Sequence, residues 1–546
     1  WLKPFWLKVF LILNHPAILA AMETLLANGR HVRVDPQKAT VQDFPDFQKM
    51  KPEKAEKKVA LLRDGGNTKD DNSPMPYNRP CQDVLWAILF LVTMVVVLGY
   101  GYMCSGALLS HMGDATTTAA PTLAGAHLTA KEVLVTLAVA VSTSMMACLL
   151  FMLLAHRAPS CVVWSSLIVS PCLLMVLGLA LLAGGLVLQG GILLAVGALG
   201  LCVNLCCYRE YIPFMVQVTE VVADVIEDHP CMMMVGFIGT SIAFVLFAML
   251  ALALCSIQAD MQQRQGVDMD KGSIGLAHTD KGGIGLASVF VVFLLFFWGG
   301  FVASNICHVT YCGVFGAWYY KGNASTSESD SGGNTLTPAL RVSLTTSLGS
   351  ICLGSLIVAA VRALEEVARQ IMKDASEDGN PLLCVIGCCL TCILDCIGDM
   401  LEYFNDWAYV QCAVRGVSFI NAAKITFSLM TCANMKYILS DLLLGSVVTL
   451  GTLAVAMMTM LVTAGVAAVL YGTKAAIAGG CLGLIIGFPA GAAALGIVNS
   501  GVKTLLACWA DDPEPLRQTH PEIHEKFMEK LGKIDEADSD SMYISD

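Results

Sequence analysis

Residues 84–103 have the sequence VLWAILFLVTMVVVLGYGYM, a run of twenty residues without a charged side chain. The hydrocarbon core of a bilayer is about 30 Å thick, and an α-helix needs about 20 residues to cross it. A lone strand in lipid would leave its backbone N–H and C=O groups without hydrogen-bond partners. The stretch therefore predicts a transmembrane α-helix.

Eight further apolar runs of similar length follow along the chain. They are Val133–Leu154, Cys161–Leu182, Leu186–Cys207, Cys231–Ser256, Ala287–Cys307, Val342–Val361, Leu442–Leu470 and Ala475–Val498. Glycine is frequent within them, and between membrane helices small residues permit close backbone approach. The pattern predicts an all-α, polytopic integral membrane protein with nine clear spans.

A tenth candidate span, Leu382–Val414, has a different composition. Its first half is apolar, and four cysteines recur there at every fourth position: Cys384, Cys388, Cys392 and Cys396. These cysteines share one helix face and fit helix packing, palmitoylation or redox sensing. The second half mixes acids with aromatic residues, so hydropathy alone does not assign it to the membrane.

The composition excludes several classes of function. Of the 546 residues 56% are hydrophobic and 14% are charged, whereas soluble proteins carry about 25% charged residues. No basic patch with interleaved aromatic residues indicates a nucleic-acid partner. Because the sequence also lacks a P-loop, a hydrolase elbow and a metal-ligand cluster, we expect no enzyme activity, no cofactor and no metal.

The distribution of Lys and Arg predicts the orientation in the membrane. The loop Cys104–Ala130 has no Lys or Arg and is expected outside, with the basic N-terminal tail in the cytosol. Alternation then places Arg209 and Lys321 on the cytosolic side. Beyond Val361 the rule no longer decides, because Arg362 and its basic neighbours look cytosolic while alternation puts them outside.

Three motifs resemble the choline transporter-like family. The first is Ser347-Leu-Gly-Ser-Ile-Cys-Leu-Gly-Ser-Leu-Ile-Val358, and the second is Leu401-Glu-Tyr-Phe-Asn-Asp-Trp-Ala-Tyr-Val410, followed by Gly416 and Ala422-Ala423-Lys424. The third is Cys508-Trp-Ala-Asp-Asp-Pro-Glu-Pro-Leu-Arg-Gln-Thr-His-Pro-Glu522. The short loop after the first span is similar to that of fungal, plant and protist members of the family.

The resemblance implies about ten transmembrane helices with both termini cytosolic, so that Leu382–Val414 becomes the eighth span. The expected domains are a partly disordered cytosolic tail at 1–82, a choline transporter-like transmembrane domain at 83–509 and an acidic cytosolic tail at 510–546. The implied function is transport of choline or a related organic cation, with ethanolamine as a further candidate substrate.

Aromatic side chains are the natural partners of a quaternary ammonium group, which has no proton to donate. A cation over an aromatic face gains about 0.5–2 kcal/mol. Two aromatic clusters inside the predicted spans are therefore candidate substrate-binding residues: Trp298, Phe301 and Tyr311, and Tyr403, Phe404 and Trp407. The alternative for these clusters is packing within the protein or against lipid.

Acids inside a span are functional candidates because an intramembrane carboxylate is costly. Asp395, Asp399 and Glu402 are spaced by four and three residues, so they lie along one helix face. On a water-filled path they would attract a cation or exchange protons. The alternative is that this segment lies at the membrane interface with its acids hydrated.

Other polar and aromatic groups receive structural interpretations. Asp441 and Lys503 lie near span ends and are expected to snorkel or to occupy the interface. The run Trp318-Tyr319-Tyr320 is expected to form an aromatic belt at the cytosolic boundary.

We thus expect a transporter that works by alternating access, facilitated or proton-coupled, in the plasma membrane or an internal membrane. Its expected partners are a small cation and the lipid bilayer. The alternative is a non-transporting membrane scaffold of the same fold, whose acidic tail, with Ser539, Ser541 and Tyr543, recruits partners.

Overall fold

The computed structural model describes residues 80–116, 130–206, 209, 211–264, 282–321, 335–377, 381–432 and 435–531. Within these ranges the chain forms helices and no β-strand, so the all-α prediction is confirmed. The helices are α1 Val84–Thr116, α2 Ala130–Arg157, α3 Pro159–Ala183, α4 Val187–Cys206, α5 Ile212–Asp228, α6 Cys231–Arg264, α7 Gly282–Lys321, α8 Leu336–Leu344, α9 Leu348–Glu377, α10 Pro381–Arg415, α11 Phe419–Cys432, α12 Met435–Tyr471, α13 Thr473–Asp511 and α14 Glu514–Thr519. Residues 521–531 are also helical. Most of the predicted tail 1–82 lies outside the described residues.

Eight of the described helices are long and apolar enough to cross a bilayer, namely α1, α2, α3, α6, α7, α9, α12 and α13. The shorter helix α4, with 20 residues, and the charged helix α10, with 35 residues, also reach the length of a crossing. The chain is therefore a multi-pass α-helical membrane protein. The helix lengths agree with the ten crossings that the resemblance implies.

The predicted span Val342–Val361 has different bounds in the structure. Helix α8 ends at Leu344, the chain turns, and the Ile351 amide bonds to the Ser347 carbonyl at 3.0 Å as α9 begins. Helix α9 then continues to Glu377, because its charged second half pairs along its own face and with α10. The end of the apolar run at Val361 is therefore not the end of the helix.

The described ends of the transmembrane domain meet on one face of the helix bundle. The Asp83 carboxylate, just before α1, accepts hydrogen bonds from the Ser350 hydroxyl at 2.7 Å and the Phe419 amide at 2.8 Å. It thereby joins the first turns of α9 and α11, where helix dipoles favour an anion. Arg415 and Asp511 form an ion pair between the ends of α10 and α13. We call this side of the bundle the terminal face.

The terminal face is covered by the segment that follows α13. Trp318 stacks on His520 with ring centroids 4.2 Å apart, and the Tyr319 hydroxyl donates to the Asp512 carbonyl at 2.8 Å. Both aromatic side chains are buried within the protein, so the prediction of an aromatic belt at the cytosolic boundary of the membrane is wrong for them. Its physical reason is that residues 511–531 fold back over the end of α7. Burial lowers the pKa of His520 below its usual 6.5.

Candidate functional site

A cavity of about 970 Å³ lies among α6, α7, α9, α10 and α13. Sites for small molecules usually occupy about 300–1,000 Å³, so this cavity has room for a small organic molecule together with water. Helix α7 packs against the four other lining helices. These form two pairs, α9 with α10 and α6 with α13. The two pairs form walls of different chemistry.

The wall made by α9 and α10 carries charge, and we call it the charged wall. Its lining residues are Arg362, Glu365, Glu366 and Arg369 of α9 and Asp395, Asp399, Glu402 and Asp406 of α10. Six carboxylates thus face two guanidinium groups. The predicted set of intramembrane acids lines this wall, on one face of α10.

Arg362 is the centre of the charged wall. Its guanidinium group lies 3.2 Å from carboxylate oxygens of Glu365, Asp395 and Glu402 and also pairs with Asp399. It lies flat against α10 because a glycine, Gly398, faces it there, and an added Cβ would come within 3.0 Å of the guanidinium carbon. One arginine therefore holds four carboxylates together inside the membrane domain, where an unpaired charge is costly.

Arg369 extends the same network along α9. It contacts Glu365 at 2.5 Å and Glu366 at 3.5 Å. The network joins five carboxylates to two guanidinium groups, so its formal charge leaves a negative excess beside the cavity. Such an excess attracts cations and repels anions.

Asp406 at the deep end of the charged wall has a separate partner, Lys503 of α13, at 2.5 Å. Lys503 is only 5% exposed and its ammonium lies 5.5 Å from the ring centre of Tyr403. Asp441 is likewise buried and accepts a hydrogen bond from the Trp407 indole at 3.1 Å. The expected snorkelling of Asp441 and Lys503 is therefore wrong, because acids and the lysine from three helices neutralise one another inside the bundle.

Helix α7 contributes the aromatic part of the lining. The phenyl rings of Phe297 and Phe301 are stacked with centroids 6.2 Å apart, and Phe296 packs edge-on against Phe297 at 5.9 Å. Tyr311 follows further along α7, and Tyr409 joins from α10. Of the six predicted aromatic binding residues, the structure brings Phe301 and Tyr311 to the cavity.

Trp298, Tyr403, Phe404 and Trp407 do not line the cavity. Trp298 faces α9 and α1: its indole N–H donates to the Cys352 carbonyl at 2.9 Å, and its ring meets Phe90 edge-on at 5.1 Å. The Trp407 indole is bound to Asp441. Both indole groups therefore join neighbouring helices and lie away from the cavity.

The first and second motifs of the resemblance meet at the floor of the cavity. The Asn405 amide donates to the Gly354 carbonyl at 2.8 Å, and the Tyr409 hydroxyl donates to the Ile351 carbonyl at 3.2 Å. A Cβ on Gly354 would collide with the Tyr409 hydroxyl, which explains glycine at this position. Asn305 of α7 completes the floor with a hydrogen bond to Ser355 at 3.0 Å.

His308 closes the floor on the side of α13. Its ring nitrogens lie 2.8 Å from the Ser500 hydroxyl and 3.0 Å from the Asp406 carbonyl oxygen. Below it, towards the terminal face, Phe315 and Tyr319 are fully buried. The cavity is thus closed towards the terminal face by a polar floor and a packed aromatic layer.

The wall made by α6 and α13 is free of charged side chains among the described lining residues, and we call it the neutral wall. It consists of Gly236, Gly239, Thr240 and Ala243 of α6 and Pro489, Ala492, Ala493, Gly496, Asn499 and Ser500 of α13. Small side chains on this wall leave the space that the cavity occupies.

The charged residues of α9 and the lysine of α13 were not among the predicted site residues. Arg362, Glu365, Glu366 and Arg369 occupy positions i, i+3, i+4 and i+7, which places them on one helix face. That spacing, matched to the three predicted acids of α10, was the available signal. Lys503 had no such signal, because its partners come from helices distant in sequence.

The fold defines a multi-pass α-helical membrane protein whose described helices surround a cavity. Residues 192–514 match the family described as plasma-membrane choline transporter, which is more than half of the chain. The protein belongs to this family, and the resemblance inferred from its motifs is confirmed.

Curated relatives support the same family. Protein PNS1 of Yarrowia lipolytica is 29% identical over 335 residues, which cover 59% of this chain and 56% of the relative. Protein PNS1 of Mycosarcoma maydis is 32% identical over 265 residues, covering 45% of this chain and 46% of the relative. A CTL-like protein of Dictyostelium discoideum is 25% identical over 322 residues, covering 58% and 52%. The chain thus spans about half the length of these relatives.

Proposed function

We propose that the protein carries choline or a related small organic cation, such as ethanolamine, across the plasma membrane or an internal membrane. The observation that carries this proposal is the cavity itself, in which surplus carboxylates and aromatic rings line one space. Membership of a family described as plasma-membrane choline transporter supports the same substrate class.

The two kinds of lining group have different tasks in the proposed site. Carboxylates of the charged wall act at a distance, because their negative excess raises the local concentration of cations. They are partly occupied by Arg362 and Arg369, so a cation entering the cavity shares them with the protein's own guanidinium groups. The stacked rings of Phe297 and Phe301 offer a face to the methyl groups of a quaternary ammonium.

The closed floor supports transport by alternating access, either facilitated or coupled to protons. With the terminal face in the cytosol, as the Lys and Arg distribution predicts, the cavity belongs to an outward-facing state. Movement of the cation to the other side then requires the floor around His308 and Tyr409 to open. The carboxylates and His308 are the protonatable groups that proton coupling would use.

Uptake of radiolabelled choline in a transport-deficient cell tests the proposal. Phe301→Leu removes an aromatic face from the cavity and is expected to raise the KM for choline about tenfold, within the range of one cation–π contact. Phe244→Leu is the matched control, since Phe244 lies on α6, is 51% exposed and does not line the cavity. Absence of saturable choline or ethanolamine uptake by the unmodified protein would contradict the proposal and favour the scaffold alternative.

A further inference from the structure

The hydroxyl of Tyr311 is an unsatisfied group at the edge of the cavity. Tyr311 lines the cavity, its side chain is only 3% exposed, and its hydroxyl has no hydrogen-bond partner among the described residues. Buried hydroxyl groups in folded proteins are nearly always hydrogen-bonded to protein, water or ligand. The floor tyrosine Tyr409, by contrast, is fully engaged with Ile351 and Ser355.

The position of this hydroxyl is set by the neutral wall. A Cβ added to Gly236 would lie 2.7 Å from the Tyr311 hydroxyl and 3.5 Å from the Ala493 carbonyl oxygen. The hydroxyl therefore lies where α6 and α13 come together, among lining residues that carry no charge. Glycine at 236 makes room for it, since any larger residue would push against the tyrosine.

We propose that Tyr311 and the neutral wall around Gly236 and Ala493 form a subsite for the uncharged, hydroxyl-bearing end of the transported cation. The inference rests on the proposed function and adds to it a division of the cavity. The ammonium group is held beside the carboxylates and phenyl rings, and the hydroxyl is bound at the neutral wall.

The chemistry of the subsite selects a hydroxyl group over the other polar groups that a small metabolite carries. The negative excess of the charged wall disfavours a carboxylate or phosphate in the same cavity. A second ammonium group would find no carboxylate among the described residues of the neutral wall. A hydroxyl can donate to the Tyr311 oxygen or accept from the Tyr311 O–H, and it is the only hydrogen-bonding group of a permanently methylated amino alcohol.

The test compares two inhibitors of radiolabelled choline uptake, unlabelled choline and n-propyltrimethylammonium, which carries a methyl group in place of the hydroxyl. In the unmodified protein choline is expected to inhibit at about five- to tenfold lower concentration, the effect of one net hydrogen bond. Tyr311→Phe is expected to abolish this ratio by weakening choline while leaving the analogue unchanged.

Two further variants make the result specific. Tyr102→Phe removes a tyrosine hydroxyl that is 81% exposed on α1 and should leave the ratio as it is. Gly236→Ala places a methyl group against the Tyr311 hydroxyl and should lower the ratio without removing that hydroxyl.

Three outcomes would contradict the proposed subsite or the proposed function on which it rests. An unchanged ratio in Tyr311→Phe means that water alone satisfies this hydroxyl, and the subsite is refuted. Equal weakening of both inhibitors in Tyr311→Phe shows a structural role and also refutes it. If the unmodified protein takes up no choline, the proposed function fails first, which is distinguishable from either result.

Discussion

The charged wall and the neutral wall of the cavity are stabilised in different ways. On the charged wall the carboxylates need partners, and Arg362 pairs with four of them. On the neutral wall, glycine and alanine allow α6 and α13 to approach α7 while leaving space in between. The charged side chains therefore stabilise the helix pair in addition to the role proposed for them in attracting a cation, whereas the small residues chiefly set the volume.

Mutations should therefore have different effects on the two walls. Buried charges are coupled, so removal of one partner exposes the others to an apolar environment without compensation. A small residue that borders empty space has no partner to lose. Changes on the charged wall should thus reduce stability and uptake together, while enlargement on the neutral wall should reduce uptake alone.

Arg362→Met is expected to have the largest effect. It removes the common partner of four carboxylates, of which Glu365 and Asp395 are buried, and breaking a buried ion pair on one side costs about 3–5 kcal/mol. Thermal unfolding of the detergent-purified protein and its amount at the cell surface measure the loss.

Two controls show whether the loss comes from carboxylates that lose the guanidinium group. The double variant Arg362→Met/Asp399→Asn should recover part of the stability, because it removes one of the four carboxylates that Arg362 pairs with. Arg517→Met breaks an ion pair with Glu514 whose arginine is 63% exposed, and such surface pairs contribute about 0–1 kcal/mol. Equal destabilisation by the two arginine variants would contradict the role assigned to Arg362.

Ala493→Leu is expected to reduce choline uptake at least about tenfold with little change in thermal stability. Its added carbons enter the cavity beside Tyr311 and do not overpack a filled core. Initial uptake rates and unfolding temperature, measured on the same preparation, give the two quantities. Ala456→Leu is the contrasting variant, since Ala456 is fully buried between α12 and α13 and faces Gly487. A loss of stability in Ala493→Leu as large as that in Ala456→Leu would remove the distinction between the walls.

Much of the fold was predictable because bilayer-length apolar runs leave the backbone little choice. The prediction succeeded for runs such as residues 84–103 and missed the bounds of α9, where the helix continues beyond Val361 through paired charges. Hydropathy measures transfer to lipid and is blind to charges that neutralise each other between two helices. Burial of Lys503 was missed for the same reason.

The candidate site was predictable in residue type more than in orientation. Spacing placed Asp395, Asp399 and Glu402 on one face of α10, and the structure brings them to the cavity. Spacing did not indicate which side of α7 faces inward, so Trp298 and Phe301 were equivalent in sequence although only Phe301 lines the cavity. Rotation of a helix that is apolar on all sides depends on its neighbours, such as the Cys352 carbonyl that binds Trp298.

The terminal face offers the smallest expected effect and a reference outside both walls. Burial holds the pKa of His520, which stacks on Trp318, below its usual 6.5, so the unfolded segment binds a proton more readily than the packed one. By linkage, the contribution of His520 to packing is present above about pH 6.5 and is lost as the pH falls below it. Hydrogen exchange of residues 511–531 should therefore be modestly faster at pH 5.5 than at pH 7.5 after correction for the intrinsic rate. His520→Phe keeps an aromatic ring beside Trp318 without a titratable group, and the pH dependence should disappear in that variant. If it persists, another group controls the packing of this segment, and the terminal face would share the charge dependence that distinguishes the charged wall.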